Sequence, residues 1–170
     1  HHHPADELLL DYVSGSAREP VALAIACHLA MCDLCRARVS RLERIGAVLL
    51  ERLAPDPLSD AAFDPSSAPE AETAATEESF PPNIGRLPEP MRRYLPEPYN
   101  ALRWRRLGSL ETVRLQTGAP GYSARLVRMA PGRAIQRHTH GRNEYISVFS
   151  GGFVDRGERY LPGDFCTADR

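Results

Sequence analysis

The chain has 170 residues and six histidines, and none of the six sits on ordinary surface sequence. Three open the chain as His1-His2-His3, and the rest fall in two tight clusters, His28-x3-Cys32-x2-Cys35 and His138-x-His140-x3-Glu144. The first is rich in sulfur. Thiolates with imidazole are the donor set of structural zinc, which closes with four ligands. The second offers nitrogen and oxygen and suits a divalent metal with open positions, a site that senses or reacts. His28 and Cys32 are spaced to share one helix face, and Cys35 follows across a break. A fourth zinc ligand is wanted, and His3 is the candidate, because it lies just before the first helix and can fold back. A run of three histidines is also what a purification-tag remnant looks like. A lone CxxC can be a redox pair; the histidine four residues earlier favours zinc.

The elements that must position these residues follow from the pattern. Asp6-Glu-Leu-Leu-Leu-Asp-Tyr-Val places apolar side chains at helical spacing, with acids at the favourable end and Gly15 as a stop. Pro20 opens a second helix, Val21 to about Met31. A third runs from Asp33 to about Leu53, with Val39, Leu42, Ile45, Leu49, Leu50 and Leu53 as its apolar face. Gly46 interrupts that helix and is expected to mark close packing against a neighbour. Three helices in so short a stretch make a thin core of the kind that needs a staple, and the His/Cys cluster supplies one.

Charge locates the boundary between two modules. Residues 1–53 hold six Arg against seven acids, residues 54–82 hold seven acids and no base, and residues 83–170 hold fifteen Arg against eight acids. The middle stretch is rich in Pro, Ala, Ser and Glu, a composition that does not fold alone; a short helix over 58–63 is possible within it. Beyond it, Thr112–Gln116, Ser123–Met129 and Tyr145–Phe149 read as strands separated by Gly/Pro turns. Trp104, among Arg103, Arg105 and Arg106, reads as a core or edge plug. The expected fold class is α+β with two domains: a zinc-stapled helical bundle at 1–53, an acidic linker at 54–82, and a β domain at 83–170.

Hydrophobic residues make up 42% of the chain, enough for packed cores. The net charge of −1 excludes a general nucleic-acid binder and an electrostatic membrane tether. No apolar run approaches the roughly 18 residues of a membrane span, and no charged-then-apolar leader opens the chain. The expected location is the cytoplasm, where four cysteines do not form a disulfide framework. Cys27 and Cys166 read as small buried residues.

Gly132-x5-His138-x-His140-x3-Glu144-x6-Gly151 resembles the first motif of the cupins, small β-barrels that hold a divalent metal on such residues. The pairing of a His-x3-Cys-x2-Cys helical module with a cupin resembles the ChrR-like group of zinc anti-sigma factors. The resemblance spans nearly the whole chain: His3 before Asp6-Glu-Leu-Leu, the run from His28 to Arg38, Arg103-Trp104-Arg105, and Pro162-Gly163-Asp164. It implies a zinc-binding helical module that blocks an extracytoplasmic-function-type sigma factor, and a cupin that takes part in its release on oxidative stress, by singlet oxygen or organic peroxide. The cupin's second motif continues past Pro-Gly-Asp to a further metal histidine. This sequence has six residues after Asp164, so that fourth ligand and the closing strands lie outside it, and the cupin is expected to be truncated.

Three classes of function fit the residues. In the first, a regulator without catalysis, the apolar side chains Leu8, Leu9, Tyr12, Ile45 and Leu50 exceed what a three-helix core hides and pack on the sigma factor. In the second, a metal-dependent cupin enzyme such as a dioxygenase or isomerase uses His138, His140 and Glu144; no further acid or base is placed to assist it, and no small-molecule substrate is indicated. The third is a thiol redox sensor in which Cys32 and Cys35 release zinc on oxidation. The first is the reading adopted, with a sigma factor and not nucleic acid as the partner.

Overall fold

The structure, a computed structural model, describes residues 2–55, 87–134 and 143–168. The acids Asp6 and Glu7 sit in the first turn of α1 (Asp6–Val13), where the helix dipole favours them, and Gly15 ends the run at φ +73°. Proline in the first turn starts α2 (Glu19–Leu29), and α3 (Asp33–Glu51) follows after a short break. The second half opens with a single helical turn, α4 (Glu89–Arg92), and a 3-10 turn, Tyr99–Ala101. Among the described residues seven strands come next: β1 (Arg105–Leu107), β2 (Leu110–Arg114), β3 (Arg125–Met129), β4 (Glu144–Ser147), β5 (Phe153–Asp155), β6 (Glu158–Tyr160) and β7 (Phe165–Ala168).

Helices followed by antiparallel strands are the α+β arrangement expected. Among the described residues the strands form three sheets: a β1-β2-β3 meander, a β4-β7 pair and a β5-β6 hairpin. No closed barrel joins them among the described residues. In the hairpin, Arg156 and Gly157 both take positive φ, the geometry that matches a two-residue turn to the twist of its strands. Trp104 is half-buried, meets Tyr99 edge-on, and carries the Arg128 guanidinium 4.0 Å over its ring, so it plugs the β half with a charge stacked outside.

Helix α2 is buried on two faces. Leu23 and Cys27 join Leu87, Met91, Tyr99, Leu102, Val113 and Leu126 in one core. Ile25 and Leu29 join Leu9, Cys35, Val39 and Phe165 in the other. The helices and the strands therefore share a wall, which polar contacts pin: Ser147 donates its hydroxyl to the Ala24 carbonyl at 2.7 Å, and the Gly118 amide donates to the Glu19 carboxylate.

Three expectations change. Leu9, expected at a partner surface, is 1% exposed and lies in the second core, with Leu8 and Tyr12 half-buried against it. The apolar face of α3 is buried only at its N-terminal end, through Val39 and part of Leu42; beyond that the helix outruns its neighbours. Gly46 lies on this overhang, and an added Cβ there meets open space, so close packing does not explain it. The strands expected at 112–116, 123–129 and 145–149 appear as β2, β3 and β4 with shifted ends. The short helix considered at 58–63 lies outside the described residues, as does most of the 54–82 linker.

A shared wall has a measurable consequence. Replacing Leu23 with Ala should destabilise the protein by about 2–5 kcal/mol. The unfolding transition followed by Trp104 fluorescence, a probe in the β half, should move together with the helical signal in circular dichroism.

Candidate metal centre

Three chain segments bring their ends to one point. His28 lies in the last turn of α2, Cys32 is the N-cap of α3, and Cys35 is in the first turn of α3. His3 comes from the extended stretch before α1. Helix geometry explains the convergence: the four-residue step from His28 to Cys32 crosses the α2–α3 break, and Cys35 follows on the first turn beyond it.

The four ligand atoms lie within 4.8 Å of one another. The Cys32 and Cys35 sulfurs are 3.5 and 3.4 Å from His3 Nδ1. With Zn–S near 2.3 Å and Zn–N near 2.05 Å, a tetrahedron has an S···N edge of about 3.6 Å. The His3 and His28 rings meet edge-on, their centroids 5.7 Å apart.

The decisive feature is His28. Its side chain is 0% exposed, and neither ring nitrogen makes a well-formed hydrogen bond among the described residues, the Gly163 backbone offering only a weaker polar contact. Leaving a buried polar group unmatched costs about 1–3 kcal/mol, and a metal ion would remove the deficit. Burial, then the charge of His3, lowers the His28 pKa, which keeps the imidazole neutral and able to ligate. Without metal, burial and then Cys32 push the Cys35 thiol up to about 11. The donor set, two sulfurs and two imidazoles, therefore fits zinc. His3, His28, Cys32 and Cys35 would hold the ion, which would tie α2, α3 and the N-terminal segment together.

The structure brings together all four residues expected for zinc. His138 and His140 lie outside the described residues, while Glu144 begins β4, exposed and paired with Ala168. Of the residues expected to face a partner, Ile45 and Leu50 are exposed on the α3 overhang, and Leu8, Leu9 and Tyr12 are drawn toward the core. The sequence reading missed Val48 as part of that surface, although the period of three and four that marks Ile45 and Leu49 includes it. It also gave no role near the metal centre to His2, Asp164 or Phe165.

Residues 98–170 match the ChrR cupin-like domain family. The chain is 34% identical to the anti-sigma-E factor ChrR of Cereibacter sphaeroides over a 173-residue alignment that covers 99% of this chain and 79% of that protein. This chain belongs to the ChrR family of anti-sigma factors. The crystal structure of Rhodobacter sphaeroides SigE in complex with the anti-sigma ChrR superimposes with a TM-score of 0.80 at 34% identity, covering 99% of this chain and 87% of that one. Both the helices and the strands described above thus have counterparts in ChrR. No helix among the described residues of this ChrR-family chain is long and apolar enough to cross a membrane.

Two outcomes are expected of this centre. Purified, reduced protein should carry about one zinc per chain by elemental analysis, and Cys32→Ser or Cys35→Ser should remove it; since protons compete for thiolate and imidazole, zinc should be lost as pH falls. After zinc is stripped, stability should decline as pH rises from 9. The unfolded thiols ionise near 9.0, whereas burial holds Cys35 up to about 11 and Cys27 up to about 12 in the folded chain. Their contribution is complete below pH 9 and disappears through that window, which urea titrations at pH 8 and pH 10 will show.

Proposed function

We propose that this chain is a cytoplasmic regulator without enzymatic turnover that binds an extracytoplasmic-function-type sigma factor through zinc-stapled helices. In this reading residues 1–53 are the inhibitory unit, 54–82 a linker, and 83–170 a cupin-like unit. That unit takes part in releasing the sigma factor under singlet oxygen or organic peroxide, and His138, His140 and Glu144 are its metal-binding residues. Membership of the ChrR family supports the reading.

The observation that carries it is the α3 overhang. Ile45, Val48, Leu49 and Leu50 are exposed along the last turns of the helix, and Leu53 continues the patch just beyond its end. At 1.5 Å per residue the 19-residue helix is about 28 Å long, far more than its two neighbours cover. Contiguous exposed leucine of this kind marks a protein-binding surface. Arg41 and Arg44 line the same face, so the patch is apolar at its centre with basic edges. It fits an amphipathic helix of the sigma factor with acidic flanks, docked helix against helix. Zinc acts at a distance: by fixing the angle between α2 and α3 it sets where the overhang points.

Co-expression with extracytoplasmic-function sigma factors of the same organism tests the proposal. Leu49→Asp or Ile45→Asp should weaken copurification roughly 10- to 100-fold, since each removes a buried aliphatic contact worth about 1.5–3 kcal/mol. Zinc content and helical signal should stay unchanged, because neither residue touches the core. Undiminished binding by a Leu49→Asp, Ile45→Asp double variant refutes the surface.

A further inference from the structure

Asp164, in the turn that leads into β7, is 3% exposed, and its carboxylate is directed at the other end of the chain. One oxygen accepts the His2 amide at 3.0 Å; the other accepts the Leu161 amide at 2.8 Å and lies 3.3 Å from His2 Nδ1. The next residue, Phe165, donates its amide to the His2 carbonyl at 2.9 Å. The His2 backbone is therefore held on both sides by two consecutive residues of the β half. Its ring packs on Tyr160 with centroids 4.4 Å apart. The residue that follows is His3, a ligand of the metal centre.

The same turn reaches the centre twice more. The Phe165 ring stands edge-on to His28 at 5.8 Å. Gly163, at φ +93°, runs close to Met31 in the α2–α3 break, next to Cys32. The turn is in turn fixed to the end of β4, since the Val148 amide donates to the Asp164 carbonyl at 3.0 Å and the Gly163 amide to the Val148 carbonyl at 2.9 Å.

We propose that Asp164 is a positioning residue for the metal centre, holding the His2–His3 segment against β7 so that metal retention by the helices depends on the β half. The proposal rests on the zinc reading above and adds its control. Of the four ligands, His3 alone lies outside a helix or helix cap, on a non-helical segment before α1 that must be ordered before it can ligate, and ordering such a segment opposes binding. The Asp164 clamp orders it in advance. A disturbance of β4 or β7 then frees His3 and loosens zinc without touching either cysteine.

The test uses the full-length, zinc-loaded chain and a chromogenic zinc chelator. Removing a group that orients a metal ligand weakens metal binding about 10- to 100-fold. Asp164→Ala should accelerate zinc transfer by that factor, and Asp164→Asn, which keeps size and one acceptor oxygen, by less in the same direction. Leu126→Ala, which hollows the core that does not include Phe165, should release zinc at the wild-type rate even where it lowers the melting temperature as much. With cobalt in place of zinc, the visible spectrum of Asp164→Ala should move toward that of His3→Ala. In metal-stripped protein, amide exchange of residues 2–5 should quicken in Asp164→Ala and not in Leu126→Ala. Wild-type zinc release from Asp164→Ala, or equal acceleration by Leu126→Ala, overturns the proposal and leaves the zinc reading intact. A wild type that binds no metal, with exchange at residues 2–5 still governed by Asp164, overturns the zinc reading and the dependence of metal on the clamp while sparing the clamp itself.

Discussion

A fully buried imidazole whose nitrogens find no well-formed hydrogen bond among the described residues is an unstable thing to leave inside a small protein. His28 is that group, and the surrounding architecture is arranged around relieving it. The end of α2 delivers it, the start of α3 delivers two sulfurs, and the segment before α1 delivers a second imidazole. A helix pair of this size buries too little apolar surface to fix its own geometry firmly. An ion bonded to four side chains from three segments would supply a rigid joint where packing alone supplies a soft one.

Packing does the complementary work through α2. One face, carrying Ile25 and Leu29, closes the helical core, and the other, carrying Leu23 and Cys27, enters the core of the β half. The ends of that helix are therefore placed by strands as well as by helices. Phe165 belongs to the helical core although it comes from β7, and its ring is one wall of the metal centre. Metal geometry and β structure are mechanically connected, so a regulator built this way has a route from a change in its strands to a change in its helices.

How much of this the sequence disclosed depends on range. The His28, Cys32 and Cys35 grouping is written in spacings of three and four residues, which helix geometry converts directly into proximity, and it was legible together with the three helices. His3 was legible only as the missing fourth ligand. The apolar period of α3 was equally clear, yet periodicity gives the direction of a face and not what covers it; hence Leu9 was assigned to the surface and proved to be core, while Ile45 and Leu50 remained bare. Strands β1, β5 and β6 span three residues each, too few to show an alternation. The clamp between His2 and Asp164 joins residues 162 positions apart, and nothing local encodes it. Pro162-Gly163-Asp164 was visible as a turn, but its proximity to the helices arises from tertiary packing.

The bare end of α3 carries one more implication. A stripe of exposed isoleucine, valine and leucine is prone to self-association, and cellular quality control recognises such surfaces. Copies left over once every target subunit has been captured would be the ones most open to clumping or degradation. Abundance would then settle near that of the target, giving a stoichiometric brake with little surplus to overcome when the brake is lifted.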